Sequence, residues 1–150
     1  GGVANMTFID AKGDITALDT GPANAMMDDF MMMRMKQPFD QGGALAREGV
    51  TDHAVLEQFL ADPYFKKTGP KSLDRNAWNL KALEHLNAAD GMATLLEMTV
   101  QAVRLSLAAM PSAPKALYVC GGGRKNAFMM QRLAEILEIP VQSIESAGWN

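Results

Sequence analysis

The chain is 150 residues long, carries a formal net charge of -3 and is 48% hydrophobic. This fits one packed domain, or a piece of a larger one, and offers no broad positive field for nucleic acid or an anionic membrane surface. Cys120 is the only cysteine, which excludes an internal disulfide framework and suits a reducing compartment, so a cytoplasmic location is expected. No apolar run is long enough to span a bilayer. The 12 methionines fall mostly at helical spacing and read as core filling.

Residues Val3 to Ile9 alternate, with Ala4, Met6 and Phe8 on one face and Val3, Asn5, Thr7 and Ile9 on the other, which predicts a strand. Asp10 to Asp14 contains Gly13 and reads as a turn. Ile15 to Leu18 is a second short strand, so residues 3–18 are expected to form an antiparallel hairpin that delivers Asp19. Leu18-Asp19-Thr20-Gly21-Pro22-Ala23-Asn24 then reads as a strand end, a tight turn and a helix start, with Pro22 in the first helical turn. That helix runs to about Lys36 on a stripe of Ala23, Met26, Met27, Phe30 and Met33, and Pro38 ends it.

Residues 37–50 read as a loop around Gly42-Gly43. Thr51 is the expected N-cap of a helix bearing Val55, Leu56, Phe59 and Leu60, which Asp62-Pro63 stops. Residues 63–79 are irregular and long for a plain connection. They gather Lys66, Lys67, Lys71 and Arg75 beside Tyr64, Phe65 and Trp78, either as a solvated loop or as one that reaches over a ligand. A short helix is expected over Leu80 to Leu86. Asp90 is the expected cap of the longest helix, whose stripe is Met92, Leu95, Leu96, Thr99, Val103, Leu107 and Met110; it should pack across the sheet and end at Pro111.

Lys115 to Cys120 is a continuous apolar run of strand length, typical of a strand buried on both faces, and Cys120 within it reads as a small buried hydrophobe. Gly121-Gly122-Gly123 comes at once after it. Asn126 caps a helix bearing Met129, Met130, Leu133, Ile136 and Leu137, Pro140 breaks it, and Val141 to Ile144 is a last strand. Strand, glycine triplet, helix and strand make a βαβ unit with its glycines at the carboxyl end of the strand, where ligands bind in open α/β sheets. Gly1-Gly2 leads straight into a strand, and the last residues stop just after one, so the chain is expected to be a piece of a longer protein.

Four features can carry chemistry. The triplet Gly121-Gly122-Gly123 lets a flat ligand lie on bare backbone, or it is simply a tight corner. It matches neither G-x-G-x-x-G nor the Walker pattern, which disfavours a dinucleotide site or a P-loop. Gly1-Gly2 with Asn5 is either a turn or an opening for phosphate. Asp19 stands beside a helix N-terminus, as the helix cap or as a general base next to a bound anion. His53 and His85 lack Cys or acidic partners at ligand spacing and read as surface residues; no G-x-S-x-G nucleophile elbow and no zinc-type spacing is present.

Taken together, Gly-Gly-Val-Ala-Asn-Met-Thr (1–7), Leu-Asp-Thr-Gly-Pro-Ala-Asn (18–24), Pro-Lys-Ser-Leu-Asp-Arg (70–75) and Val-Cys-Gly-Gly-Gly-Arg-Lys-Asn (119–126) closely resemble the anhydro-N-acetylmuramic acid kinase family, over essentially the whole chain. The resemblance is to the C-terminal half of such an enzyme. It implies an α/β fold: part of an actin-like (ribonuclease H-like) ATPase domain of the actin/hexokinase-like superfamily, with an antiparallel hairpin plus a βαβ unit and helices packed on a mixed sheet. It implies ATP and Mg2+ as cofactors and an amino sugar as substrate, with no nucleic-acid or membrane partner, and leaves room for a homodimer of the intact enzyme. The implied reaction opens 1,6-anhydro-N-acetylmuramic acid with water and phosphorylates O6, in peptidoglycan recycling. By the same resemblance Asp19 is the base; Gly1, Gly2, Asn5, Gly121, Gly122 and Gly123 face the nucleotide; and Thr20, Gly21, Pro22, Asn24, Lys71 and Ser72 face the substrate. The family often reads Lys-Ser-Thr-Gly-Arg-Glu where this chain has Lys71-Ser72-Leu73-Asp74-Arg75-Asn76, so no role passes to Asp74 or Asn76. The implied missing half makes the isolated piece an expected poor catalyst.

Overall fold

The computed structural model describes residues 4–9, 12–13, 15–21, 23–66, 80–110 and 112–147. Strand β1 (Ala4–Ile9) pairs antiparallel with β2 (Ile15–Gly21), from Ile9 opposite Ile15 to Asn5 opposite Asp19. The next pair is Ala4 with Gly21, so the register slips there and Thr20 is the extra residue of a bulge. Asp19 and Gly21 are therefore paired strand backbone with Thr20 bulged between them, not the tight turn expected after Leu18. Bulges of this kind bend a strand and redirect the chain beyond it. Helix α1 (Ala23–Met35) begins two residues after Gly21.

The buried face of α1 consists of Ala25, Met26, Met27, Phe30 and Met31, while Met33 is about half exposed. Of the expected stripe, Met26, Met27 and Phe30 are buried and Met33 is not, while the Ala23 side chain lies outside what is described. Residues 41–48, expected as loop, are ordered into a 3-10 turn (Gln41–Gly43) and the short helix α2 (Ala44–Glu48). The Asp40 carboxylate accepts from the N–H groups of Leu45 and Ala46 at 2.9 and 3.0 Å, satisfying donors that a helix start leaves free. Gly43 has a φ of 74°, and a Cβ there would lie 2.3 Å from Asn126 Oδ1, so only glycine fits.

Asp52, not Thr51, caps α3 (His53–Leu60), accepting from Val55 N at 3.1 Å. Hydrogen bonds from Val55 N–H and then from His85 hold the Asp52 carboxyl below its ordinary range. His53 and His85 are exposed, as expected. Likewise Asn87, not Asp90, caps the long helix α4 (Ala88–Ala108), accepting from Asp90 N at 2.8 Å. Asp90 instead accepts from Val50 N at 2.8 Å, tying the connection between α2 and α3 to the start of α4.

The chain closes with β3 (Leu117–Val119), a 3-10 turn (Gly122–Lys125), α5 (Ala127–Leu137) and β4 (Val141–Ser143). β3 and β4 pair in parallel, Leu117 opposite Val141 and Val119 opposite Ser143. Two expectations fail here. Tyr118 is 47% exposed and Cys120 is exposed, because three-residue strands have too little sheet to cover both faces. The described residues also form two separate two-stranded sheets, not one mixed sheet.

The core is organised by α4. It packs against α1, α2, α3, α5 and β2, and every residue from Gly91 to Val100 is buried. The expected stripe residues Met92, Leu95, Leu96, Thr99 and Leu107 are buried, but with four helices as well as β2 around it the stretch from Gly91 to Val100 is buried on every face, not on one alone. Its buried polar groups are satisfied. Thr94 and Thr99 donate to the carbonyls of Asp90 and Leu95, and Ser106 donates to that of Ala102. Glu97 receives Arg132 of α5 in a two-point pair at 3.0 and 3.2 Å, and Gln101 at 2.9 Å. Glu97 accordingly raises the Arg132 pKa.

Gly91 lets α1 approach α4, since a Cβ there would sit 2.3 Å from Cζ of the fully buried Phe30. Alanine would gain about 1 kcal/mol of helix propensity. Overpacking a ring with nowhere to move costs about 1–3 kcal/mol. Gly91→Ala is therefore expected to lower stability in urea denaturation; an unchanged or raised midpoint would contradict this packing.

Candidate active site

The candidate site lies where two chain segments converge. One is the bulged end of β2 with the start of α1. The other is the turn after β3. Asn24, the second residue of α1, is half-buried. Its amide nitrogen lies 3.4 Å from where a Cβ on Gly122 would be, and 3.5 Å from one on Gly123. Asn24, expected on the substrate side, and Gly122 and Gly123, expected on the nucleotide side, are therefore close neighbours, with room for no more than a methyl group between them.

The turn has a defined shape. Gly121 adopts φ 75° and ψ -167°, a region open essentially to glycine alone. Its carbonyl accepts from Arg124 N at 3.4 Å and from Arg124 Nη1 at 2.5 Å. The Gly123 carbonyl accepts from Asn126 N at 3.0 Å, and the Asn126 side chain caps α5 by accepting from Met129 N at 2.9 Å, as its position in the sequence predicts. Gly123 is buried against Met129, whereas Gly121 and Gly122 are exposed. Bare backbone on a fixed turn at the carboxyl end of a parallel strand is a surface against which a flat ligand can lie.

On the hairpin, Asn5 sits opposite Asp19 and Ala4 opposite Gly21, flanking the bulge at Thr20. Gly1, Gly2, Pro22, Lys71 and Ser72 lie outside the described residues. Among the described residues no group of three or more His, Cys, Asp or Glu is placed to hold a metal ion. A nucleotide-borne Mg2+ takes most of its ligands from phosphates and water, so such a cluster is not required for it. Also among the described residues, no helix is long and apolar enough to cross a membrane.

Sequence reading passed over Arg124 and Glu145. Arg124 Nε donates to Glu145 Oε1 at 2.6 Å across 21 residues of chain. An arginine directly after the glycines was the only local signal, because the partner is supplied by the return strand. Hydrogen bonding from its own backbone N–H, then from Arg124, holds the Glu145 carboxyl below its ordinary range. A separate cleft of about 260 Å³ opens among α2, α3, α4 and α5, lined by His53, Glu97, Phe128 and Arg132 among others. None of the expected site residues lines it, and its Glu97 and Arg132 are paired with each other.

A bulged hairpin and a βαβ glycine turn, brought close together at one helix start, give the chain an α/β architecture. A model of the anhydro-N-acetylmuramic acid kinase family matches residues 1–149, and the chain belongs to that family. It is 48% identical over 149 residues to the anhydro-N-acetylmuramic acid kinase of Caulobacter vibrioides, covering 99% of this chain and 40% of that protein. It is 43% identical to the enzyme of that name from Rhizorhabdus wittichii, over all of this chain and 41% of the relative. For the one from Rhodospirillum rubrum the identity is 45%, over all of this chain and 40% of the relative. The chain thus spans about 40% of the length of these curated relatives.

Gly121→Ala places a Cβ in open space but in a forbidden backbone region, so it is expected to cost about 1–3 kcal/mol in denaturant unfolding. Gly122→Ala carries no such backbone strain and is expected to cost less. The reverse order would contradict the turn geometry.

Proposed function

We propose that the intact protein is an ATP-dependent kinase that opens 1,6-anhydro-N-acetylmuramic acid with water and phosphorylates O6, giving N-acetylmuramic acid 6-phosphate in peptidoglycan recycling in the cytoplasm. The present chain is then the C-terminal lobe, part of an actin-like ATPase domain that forms one wall of a cleft. The single observation that carries this reading is the close approach of the Asn24 side chain to the Gly122–Gly123 backbone in a chain of this family. It joins the segment bearing Asp19 to the segment suited to a nucleotide.

In this reading Asp19 takes a proton from the attacking water. The water oxygen bonds to the anomeric carbon, and the bond from that carbon to O6 breaks. O6 then attacks the γ-phosphate, and the bond to the leaving ADP breaks. The bulge at Thr20 supports the assignment, since such irregularities accompany sites where a side chain must be aimed. Gly121, Gly122 and Gly123 lie against the nucleotide with Gly1, Gly2 and Asn5 on its phosphate side, while Thr20, Gly21, Pro22, Asn24, Lys71 and Ser72 serve the sugar. Mg2+ bound to the nucleotide neutralises phosphate charge; positioning and charge neutralisation are most of what phosphoryl transfer requires.

Asp19→Asn in the intact protein is expected to abolish turnover while ATP still binds, measured by coupled assay and by calorimetry. Unchanged turnover would remove Asp19 as the base. ATP binding without turnover of any sugar in a panel would instead favour a non-catalytic nucleotide-binding module, and turnover of a different sugar would reassign the substrate. The 150-residue chain alone is expected to work far below the roughly 1–100 per second usual for kinases, because the opposite wall of the cleft is supplied elsewhere.

A further inference from the structure

The two parallel strands β3 and β4 end side by side, and each runs into a 3-10 turn: Gly122–Lys125 after β3 by way of Gly121, and Ile144–Ala147 after β4. One side chain joins these turns. Arg124 donates from Nη1 to the Gly121 carbonyl at 2.5 Å and from Nε to Glu145 Oε1 at 2.6 Å. The second turn is tied back to the end of β4, with the hydroxyls of Ser143 and Ser146 at 3.2 Å. On its other side the glycine turn rests on Asn24 and Met129.

Gly121 is the residue that most needs such support. Its φ of 75° with ψ near 180° is reached by glycine but not enforced by it, since glycine is the residue with most backbone freedom to lose. A carbonyl fixed by a guanidinium that is itself fixed by a carboxylate holds that conformation before any ligand arrives. A planar guanidinium presents several donors in a rigid fork, so it can serve both partners at once; an ammonium on a flexible stem cannot reproduce that geometry. Arg124 is 28% exposed and Glu145 45% exposed, so the pair contributes little as a surface salt bridge to global stability. Its effect is local, on the shape of the turn.

We propose that Arg124, held by Glu145, is a positioning residue that pre-shapes the Gly121–Gly123 backbone for a nucleoside triphosphate. This rests on the kinase reading above and adds to it a device outside the expected site residues. Preorganising a loop improves binding by removing an ordering cost, so loss of the clamp falls on nucleotide affinity and not on the chemical step.

The test uses the intact protein with ATP as the varied substrate and the anhydro sugar saturating, then the converse. Arg124→Gln is expected to raise KM for ATP about three- to ten-fold, the range set by one net hydrogen bond. The kcat, the sugar KM and the melting temperature without nucleotide should stay as in wild type. Arg124→Lys should recover only part of the loss. Glu145→Gln should raise the ATP KM in the same direction, and the double variant should be no worse than Arg124→Gln alone. Wild-type protein that shows no saturable ATP dependence would remove the kinase reading itself. Normal wild-type dependence with an unchanged ATP KM in Arg124→Gln would overturn the clamp alone. A fall in kcat and melting temperature together would mark Arg124 as a folding residue and overturn it too.

Discussion

Burial of α4 on all sides is the constraint on which the rest depends. Ten consecutive residues, Gly91 to Val100, are withdrawn from water, and α1, α2, α3, α5 and β2 all pack on the helix that holds them. A helix in that position must satisfy every polar side chain internally, because an unpartnered one costs about 1–3 kcal/mol. Thr94 and Thr99 do so by donating to the carbonyl four residues back, and Glu97 by the two-point pair with Arg132. That pair also fixes α5, the helix that leaves the glycine turn. The same core helix carries β2 and α1. The two segments that form the candidate site are therefore registered against each other through one buried helix as well as by their close approach at Asn24.

Close approaches refine this registration. Gly91 admits the ring of Phe30, Gly49 admits the carbonyl of Ala89, and Gly43 admits the capping side chain Asn126. Each glycine sets its own bare backbone directly against a ring, a carbonyl or a capping side chain, so the relative position of α1, α2, α4 and α5 is set at short range.

Much of the helical framework was legible in the sequence where a single local rule decides. Asn126 stands directly before an apolar helical pattern, and it is the cap. Thr51 and Asp90 were mistaken because several capping residues stand close together. Asp52 and Asn87 win since Thr94 Oγ1 takes the Asp52 N–H, and Asp90 is engaged with Val50. Helix α2 was invisible: a five-residue helix has no period to detect, and the Asp40 cap that starts it lies in a run of turn residues. Cys120 and Met33 look like core by composition, but how far a strand or helix end reaches into the core is a tertiary matter. In the candidate site, the glycine triplet could be read because glycine speaks for itself, whereas the Arg124–Glu145 pair depends on which turn the return strand brings alongside.

The bulge at Thr20 acts as a frame-setter for the chain beyond it. Up to Asp19 the pairing with β1 keeps one alternation; beyond Thr20 it is offset by one residue, and α1 starts from the offset phase. An α-helix turns by about 100° per residue. Losing one residue at this point would thus roll the apolar face formed by Met27, Phe30 and Met31 by about that angle relative to α4, and would draw Asn24 away from the glycine turn. A substitution at Thr20 leaves that phase intact. The backbone count at this position, more than the side chain on it, is what keeps the hairpin, the core helix and the glycine turn in one frame.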